Sequence, residues 1–266
     1  MPGGNRGRVQ RVLRRRYDGE VATLGPDEVL VEEPLAIHLD GTLVATTMRT
    51  PGHDFELAAG FLFGDGLLAG APITTCRYCG TGSAVETEFN VVSVDTGGRA
   101  PAPAPRLTAA TASCGLCGHT SLDELAARLD PLPATAAFPL DVLAAVPDRM
   151  VPEQELFTAT GASHAAAAFD RDGEPLVVRE DIGRHNAVDK VVGRLLLDER
   201  LPATGLGLFV SGRASFEMVQ KAWAAGFAAL VAVSGPSSLA VETARAAGLT
   251  LAGFTRGGTL NLYRPD

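Results

Sequence analysis

The chain is 266 residues long, the length of one large or two modest domains. Its 46% hydrophobic and 20% charged residues supply a real core and exclude a mainly disordered chain. No apolar run reaches a membrane span, four cysteines are too few for a disulfide scaffold, and a formal charge of −8 argues against general nucleic-acid binding.

The charge is uneven. Residues 1–17 carry six arginines (Arg6, Arg8, Arg11, Arg14, Arg15 and Arg16) and no acid, so the remainder is more acidic than the whole. After the Arg15-Arg16 pair the chain is polar and lacks the apolar stretch of an export signal. Residues 1–20 read as a basic, frayed tail.

From Asp27 the pattern is extended, with Val29, Val31, Leu35, Ile37 and Leu39 alternating with polar residues. Asp40-Gly41 signals a hairpin, with Leu43 to Met48 as its return strand. His53 to Leu68 reads as a helix with Phe55, Ala58, Ala59 and Leu62 on one face, and Phe89 to Val94 as a strand. Residues 96–105 form a Gly/Pro/Ala linker, and Pro131, Pro133 and Pro139 mark a boundary. The chain thus divides into the tail, an N-terminal α+β domain over residues 21–137, and an α/β domain over 138–266. In the latter, Leu140 to Val146 is expected to be helical. Phe157 to Thr160 is expected to be a short strand, and Ser163 to Phe169 a strand or helix. Then come strand Leu176 to Arg179, helix Asn186 to Asp198, strand Gly207 to Ser211 and helix Phe216 to Ala224. Strand Ala229 to Val233, helix Leu239 to Ala247, strand Leu249 to Phe254 and a last extended stretch, Asn261 to Tyr263, complete it. Short apolar runs bounded by glycine and alternating with helices of about ten residues indicate an α/β layer on a partly parallel sheet.

The four cysteines form two C-x-x-C pairs, Cys76/Cys79 and Cys114/Cys117. Two such pairs are compatible with a tetrahedral zinc site, although the gap between them exceeds ribbon spacing. Redox or sulfur chemistry, and burial as small hydrophobes, are equally compatible. The second pair has better local chemistry. Gly115 and Gly118 flank it, Thr108 to Ser113 read as loop, and His119 is adjacent. Ser121-Leu122-Asp123-Glu124 is a capping-box pattern opening a helix through Leu129. A thiol just ahead of a helix N-terminus is favoured as thiolate, and a glycine loop suits a carrier that must reach two partners.

Five loops combine Gly with Arg, His or Ser. They are Thr160 to His164, Glu180 to Asn186, Ser211 to Ser215, Ser234 to Ser238, and Phe254 to Thr259. Four follow expected strands, where open α/β sheets bind ligands. Glycine backbone at helix starts and arginine side chains both suit phosphate, yet none is a Walker A or GxGxxG motif. Glu180, Asp181, His185 and Asp189 are placed for acid–base work. Equally, Asp181 can cap the helix and Asp189 pair with an arginine.

Several of these stretches, taken in order, resemble the formate dehydrogenase accessory sulfurtransferases. They are Val31-Glu32-Glu33-Pro34-Leu35, Cys114-Gly115-Leu116-Cys117-Gly118, Thr160 to Ala166, Glu180 to Lys190, and Ser211 to Lys221. The resemblance spans residues 27–263. It implies a cytoplasmic homodimer and a C-terminal cytidine-deaminase-like three-layer domain with a mixed sheet, beside a smaller N-terminal α+β domain carrying the CxxC loop. It implies that Cys114 takes sulfur from a cysteine desulfurase as a persulfide, with Cys117 as a possible assisting thiol. The sulfur would pass to bis-molybdopterin guanine dinucleotide, bound as substrate, before that cofactor enters formate dehydrogenase. Phe254, Thr255, Arg256, Gly257, Gly258 and Thr259 match the cofactor-binding stretch, with GDP as a fragment ligand. Ser211, Arg213, His164 and Arg184 are further contacts. Neither nucleic acid nor membrane is implied.

Two rivals remain. A zinc-dependent base deaminase needs His-x-Glu followed by P-C-x-x-C. Here Ala166 occupies the Glu position after His164, and no cysteine follows Cys117. A non-catalytic chaperone of apo-formate dehydrogenase would have zinc clipped by Cys76, Cys79, Cys114 and Cys117.

Overall fold

The computed structural model of the chain describes residues 7–79, 83–85, 87–102 and 122–263. Among these, no helix is long and apolar enough to cross a membrane.

The expected basic tail is largely a strand. β1 (Val9–Tyr17) pairs antiparallel with β2 (Ala22–Leu30) in a two-stranded ribbon. Charge alone was a poor guide to this stretch. Val9, Leu13 and Tyr17 share one face of the strand with Arg11 and Arg15, so no apolar alternation marks it, and Arg14 meets Asp27 across the pair at 2.9 Å. The Asp18 carboxylate closes the turn by accepting the amides of Glu20 and Val21.

A four-stranded sheet comes next. β3 (Glu33–Leu39) and β4 (Thr42–Arg49) form the expected hairpin. Asp40 and Gly41 both take positive φ, 45° and 83°, as a primed turn requires. Then come α1 (Asp54–Gly64), β5 (Thr75–Tyr78) and β6 (Val91–Asp95), giving the order β4-β3-β6-β5. Leu35, Ile37, Leu39, Val92 and Val94 pack against Leu57, Ala58 and Leu62 of the helix. α2 (Leu122–Arg128) precedes α3 (Leu140–Met150) and α4 (Glu155–Thr160). The last corrects the strand expected over Phe157 to Thr160. The Glu180 carboxylate accepts the amides of Leu156 and Phe157, each at 2.8 Å, and so fixes the first helical turn from a distant residue.

The second sheet is mixed and six-stranded. Its elements are β7 (His164–Phe169), β8 (Pro175–Asp181), α5 (Arg184–Leu197), β9 (Gly207–Val210) and α6 (Phe216–Ala225). β10 (Ala229–Ala232), α7 (Ser238–Ala247), β11 (Thr250–Arg256) and β12 (Thr259–Tyr263) complete it. The order is β12-β11-β10-β9-β7-β8. β9, β10 and β11 are parallel, joined through α6 and α7, while β7, β8 and β12 pair antiparallel. Alternate strand residues serve opposite layers. Ala166, Leu208, Val210 and Leu230 meet α5, α6 and α7. Ala165, Ala167, Phe209 and Val231 meet Leu143, Val146 and Met150 of α3. Three layers result.

Candidate functional site

The sheet topology brings all five Gly-containing loops to one edge. β8, β9, β10 and β11 run the same way, and their carboxyl ends carry four of the loops. β7 runs oppositely, so the fifth loop, at its start, lies at the same edge. His164 pairs there with Asp181. The loops are knitted together. Ser211 donates its amide to Ala165 O at 2.9 Å, and its Oγ accepts from Ala165 N at 2.9 Å. Ser234 N reaches Gly212 O, Ser237 N reaches Ala214 O, and Phe254 N reaches Ser234 O.

One glycine of this edge is pressed close: a Cβ on Gly235 would lie 2.6 Å from the Phe254 ring, whereas one on Gly212 would make ordinary contact with His164. Phe254 itself is exposed, with φ at 52°. Arg256, Gly257, Gly258 and Thr259 form an exposed turn beyond it, closed by the Thr259 hydroxyl donating to Arg256 O. Thr255 is fully buried, yet its hydroxyl has no partner among the described residues.

The helix starts at this edge are the strongest chemical feature. Neither Gly183 ahead of α5 nor Ser215 ahead of α6 supplies a side-chain cap, whereas Ser237 caps α7 normally. The positive dipole ends of two adjacent helices therefore meet at this edge without a cap from the residue ahead of either, the Glu217 carboxylate accepting its own amide at the α6 start. Around them the Arg184 Nε, both His185 ring nitrogens and the Ser215 Oγ are buried without a hydrogen-bond partner among the described residues. Buried polar atoms are nearly always paired in native proteins. Arg184 and Ser215 offer donors suited to an anion, and the His185 ring can give or take a proton. Burial, and then the Arg184 charge, hold His164 below its ordinary pKa.

The other sequence candidates sort differently. Glu180, Asp181 and Asp189 are committed to structure. Glu180 holds α4 and the Ser163 hydroxyl. Asp181 caps the approach to α5 through Gly183 N and also accepts Thr50 N and the Lys190 ammonium, the last at 2.7 Å. Asp189 pairs with Lys221 at 2.6 Å, not with an arginine. Arg213 is exposed at the edge. Cys114, Cys117 and His119, with the capping-box side chains, lie outside the described residues. Cys76 lies on strand β5, not a turn, and packs against the core of the first sheet. Burial, helped by Asp95, pushes its thiol up to about 11, far from the thiolate a nucleophile needs. Cys79 is a free, half-buried thiol whose carbonyl accepts from Ser93 Oγ. Sequence reasoning placed Ser215 only within a phosphate-suited Gly loop and gave Glu217 no role. A serine at a helix start reads as a cap, and only the structure shows that this one caps nothing.

Comparison with known proteins agrees with this architecture. A sequence model of the FdhD/NarQ family matches residues 30–266. The sulfur carrier protein FdhD of Nocardia farcinica is 49% identical over 259 residues, covering 96% of this chain and 91% of that protein. The proteins of the same name from Streptomyces coelicolor and Mycobacterium tuberculosis are 50% and 46% identical, covering 96% and 94% of this chain and 92% and 94% of theirs. A crystal structure of a formate dehydrogenase accessory protein from Desulfotalea psychrophila superposes with a TM-score of 0.74 at 23% identity, covering 97% of this chain and 98% of that one, and shares the fold. On the match across residues 30–266 and the near-full-length identity to these relatives, the chain belongs to the FdhD/NarQ family.

Proposed function

We propose that the chain is a sulfur carrier serving formate dehydrogenase. In this reading Cys114 accepts sulfur from a cysteine desulfurase as a persulfide and passes it to bis-molybdopterin guanine dinucleotide held at the carboxyl edge of the six-stranded sheet. The names of the curated relatives support the carrier role. The observation that carries the cofactor as substrate is the edge itself. Two uncapped helix N-termini and the unpaired Arg184 and Ser215 suit the phosphates of a guanine dinucleotide. Phe254 and Arg256 offer a face and a charge for the rest. The carrier acts as a cytoplasmic homodimer, as the resemblance implies.

The chemistry balances with the chain's own thiols. A desulfurase persulfide exchanges its outer sulfur onto the Cys114 thiolate and regains its own thiolate. In the second step the Cys117 thiol attacks the inner sulfur of Cys114. A Cys114–Cys117 disulfide forms, the S–S bond to the outer sulfur breaks, and that sulfur, reduced by two electrons, replaces an oxygen ligand of the cofactor metal. The oxygen leaves as water with the two protons first carried by the persulfide and by Cys117.

Intact-mass measurement tests the first step. After incubation with desulfurase and cysteine, the wild-type chain is expected to gain about 32 Da, one sulfur atom, and Cys114→Ala to gain nothing. An equal gain on Cys114→Ala, or none on the wild type, overturns the assignment. Calorimetry with GDP tests the edge. Arg256→Ala is expected to weaken binding without changing the Cys114 adduct, and unchanged affinity counts against the 254–259 stretch.

A further inference from the structure

Of the four ionisable residues that open α5, Glu180, Asp181 and Asp189 are consumed by structural bonds. His185 is the exception. It lies one residue inside the helix start, with a side chain only 8% exposed. Neither ring nitrogen has a hydrogen-bond partner among the described residues. An imidazole in that position forgoes two hydrogen bonds, a cost that folding alone does not explain.

Its surroundings are those of a proton-handling group. Glu217, in the first turn of α6, places Oε2 3.9 Å from His185 Nε2. That is too long for a hydrogen bond but close enough to stabilise an imidazolium. The facing imidazole keeps the Glu217 carboxyl low, at about 2, so the partner is an anion at neutral pH. Other charges are arranged around the pair. On its own helix are Arg184 and Asp189. From α6 comes Lys221, closed on Asp189. From β7 and β8 come His164 and Asp181, and from the end of α1, Asp65. Lys221, Lys190 and the two aspartates cancel one another by direct pairing. Glu217 is the carboxylate that forms the ion pair with His185. The groups beside His185 that also lack partners, Arg184 Nε and Ser215 Oγ, belong to the edge proposed to hold the cofactor's phosphates.

We propose that His185, backed by Glu217, is the proton-transfer residue of sulfur delivery. This rests on the sulfur-carrier function. That exchange moves two protons from sulfur to a departing oxygen. Neutral His185 accepts the proton released by the attacking thiol, becomes an imidazolium stabilised by the Glu217 carboxylate, and hands the proton to the oxygen that leaves as water. It returns to the neutral form, and no electron passes through it. A neutral imidazole is needed to start and an imidazolium to finish, which is why a carboxylate close by, but not bonded, suits the task.

The test is a single-turnover measurement on the full chain. Wild type, His185→Gln and Glu217→Gln are first loaded as persulfide and checked by intact mass. They are then mixed anaerobically with bis-molybdopterin guanine dinucleotide at a series of pH values, and loss of the added sulfur mass is followed in time. All three are expected to load equally, and GDP affinity is expected to change far less than the transfer rate. His185→Gln is expected to transfer about 100-fold more slowly or worse, with the imidazole limb gone from its pH profile. Glu217→Gln keeps a limb but shifts it to lower pH, because the imidazolium has lost its carboxylate. That shift decides the matter even if His185→Gln folds poorly. Wild-type transfer rates and profiles in both variants overturn the proposal alone. A parallel loss of GDP affinity and rate also overturns it, by making His185 a binding group only. Failure of the wild type to load overturns the sulfur-carrier reading and this proposal with it.

Discussion

Glu56 draws cations from three elements. Arg179 on β8 grips it through Nε at 2.5 Å and its second terminal nitrogen at 2.9 Å. His53 approaches to 3.4 Å and Arg194 of α5 to 3.8 Å. Burial raises the Glu56 carboxyl, but the Arg179 and His53 bonds outweigh it and hold the group at about 2, against an ordinary 4.5. The folded state resists protonation that the unfolded chain accepts, so this contribution is complete above about 4.5 and is lost as pH falls toward 2. Arg179→Gln is expected to lower stability at neutral pH and to flatten the acid limb below pH 4.5, because the variant has less to lose. Urea unfolding at pH 7 and at acid pH measures both. An acid limb as steep as that of the wild type would place the acid sensitivity elsewhere. Arg49 makes a similar fork on Asp54, at 3.1 and 2.9 Å, almost wholly buried. Both ion pairs join a strand to α1.

At the level of elements, what the sequence disclosed depended on whether the cause was local. The Asp40-Gly41 hairpin was legible because the turn chemistry lies in two residues. The helices over 184–197, 216–225 and 238–247 were legible because each shows a helical apolar stripe and ends near glycine or a polar cap. α4 was misread because its helical state depends on Glu180, more than twenty residues on. β1 was misread because exposed strand residues carry no apolar signal of their own, and its partner β2 is nearly as exposed. β5 was hidden under a metal-like cysteine spacing, although its role is to edge the first sheet beside β6. At the candidate site, the Gly-loop residues were visible as motifs. The gathering of four of them at strand ends was legible too, but the fifth joins them only because β7 runs against its neighbours. That Ser215 and His185 are unpaired is a property of the assembled edge alone.

The two sheets are one body because α1 of the first crosses α5 of the second at two glycines. A Cβ on Gly60 would lie 1.9 Å from Asp189 O, and one on Gly193 would lie 1.8 Å from Glu56 O. Backbone therefore meets backbone, and no larger residue fits. The same seam carries polar bonds. Asn186 Nδ2 donates to Met48 O at 2.7 Å, Lys190 Nζ to Thr50 O at 3.0 Å, and Ile182 N to Thr50 Oγ1 at 3.1 Å. The long motif 180–190 is thus chiefly a joint. By fixing α5 it also fixes the helix start that presents Arg184 and His185 to the site. Gly193→Ala should pry the helices apart, and overpacking of this kind costs about 1–3 kcal/mol. Trp223, the chain's one tryptophan, reports the second sheet through its place in that core, while far-UV ellipticity reports both sheets. In the wild type the two signals are expected to fall together in urea, as for a single cooperative unit. In Gly193→Ala both the midpoint and the coincidence should be lost, with ellipticity changing ahead of Trp223 as the four-stranded sheet releases first. GDP affinity should fall alongside, because the α5 start is no longer held. A variant that unfolds at the wild-type midpoint with coincident signals would mean that the crossing tolerates a methyl group, and that the polar seam alone joins the two sheets.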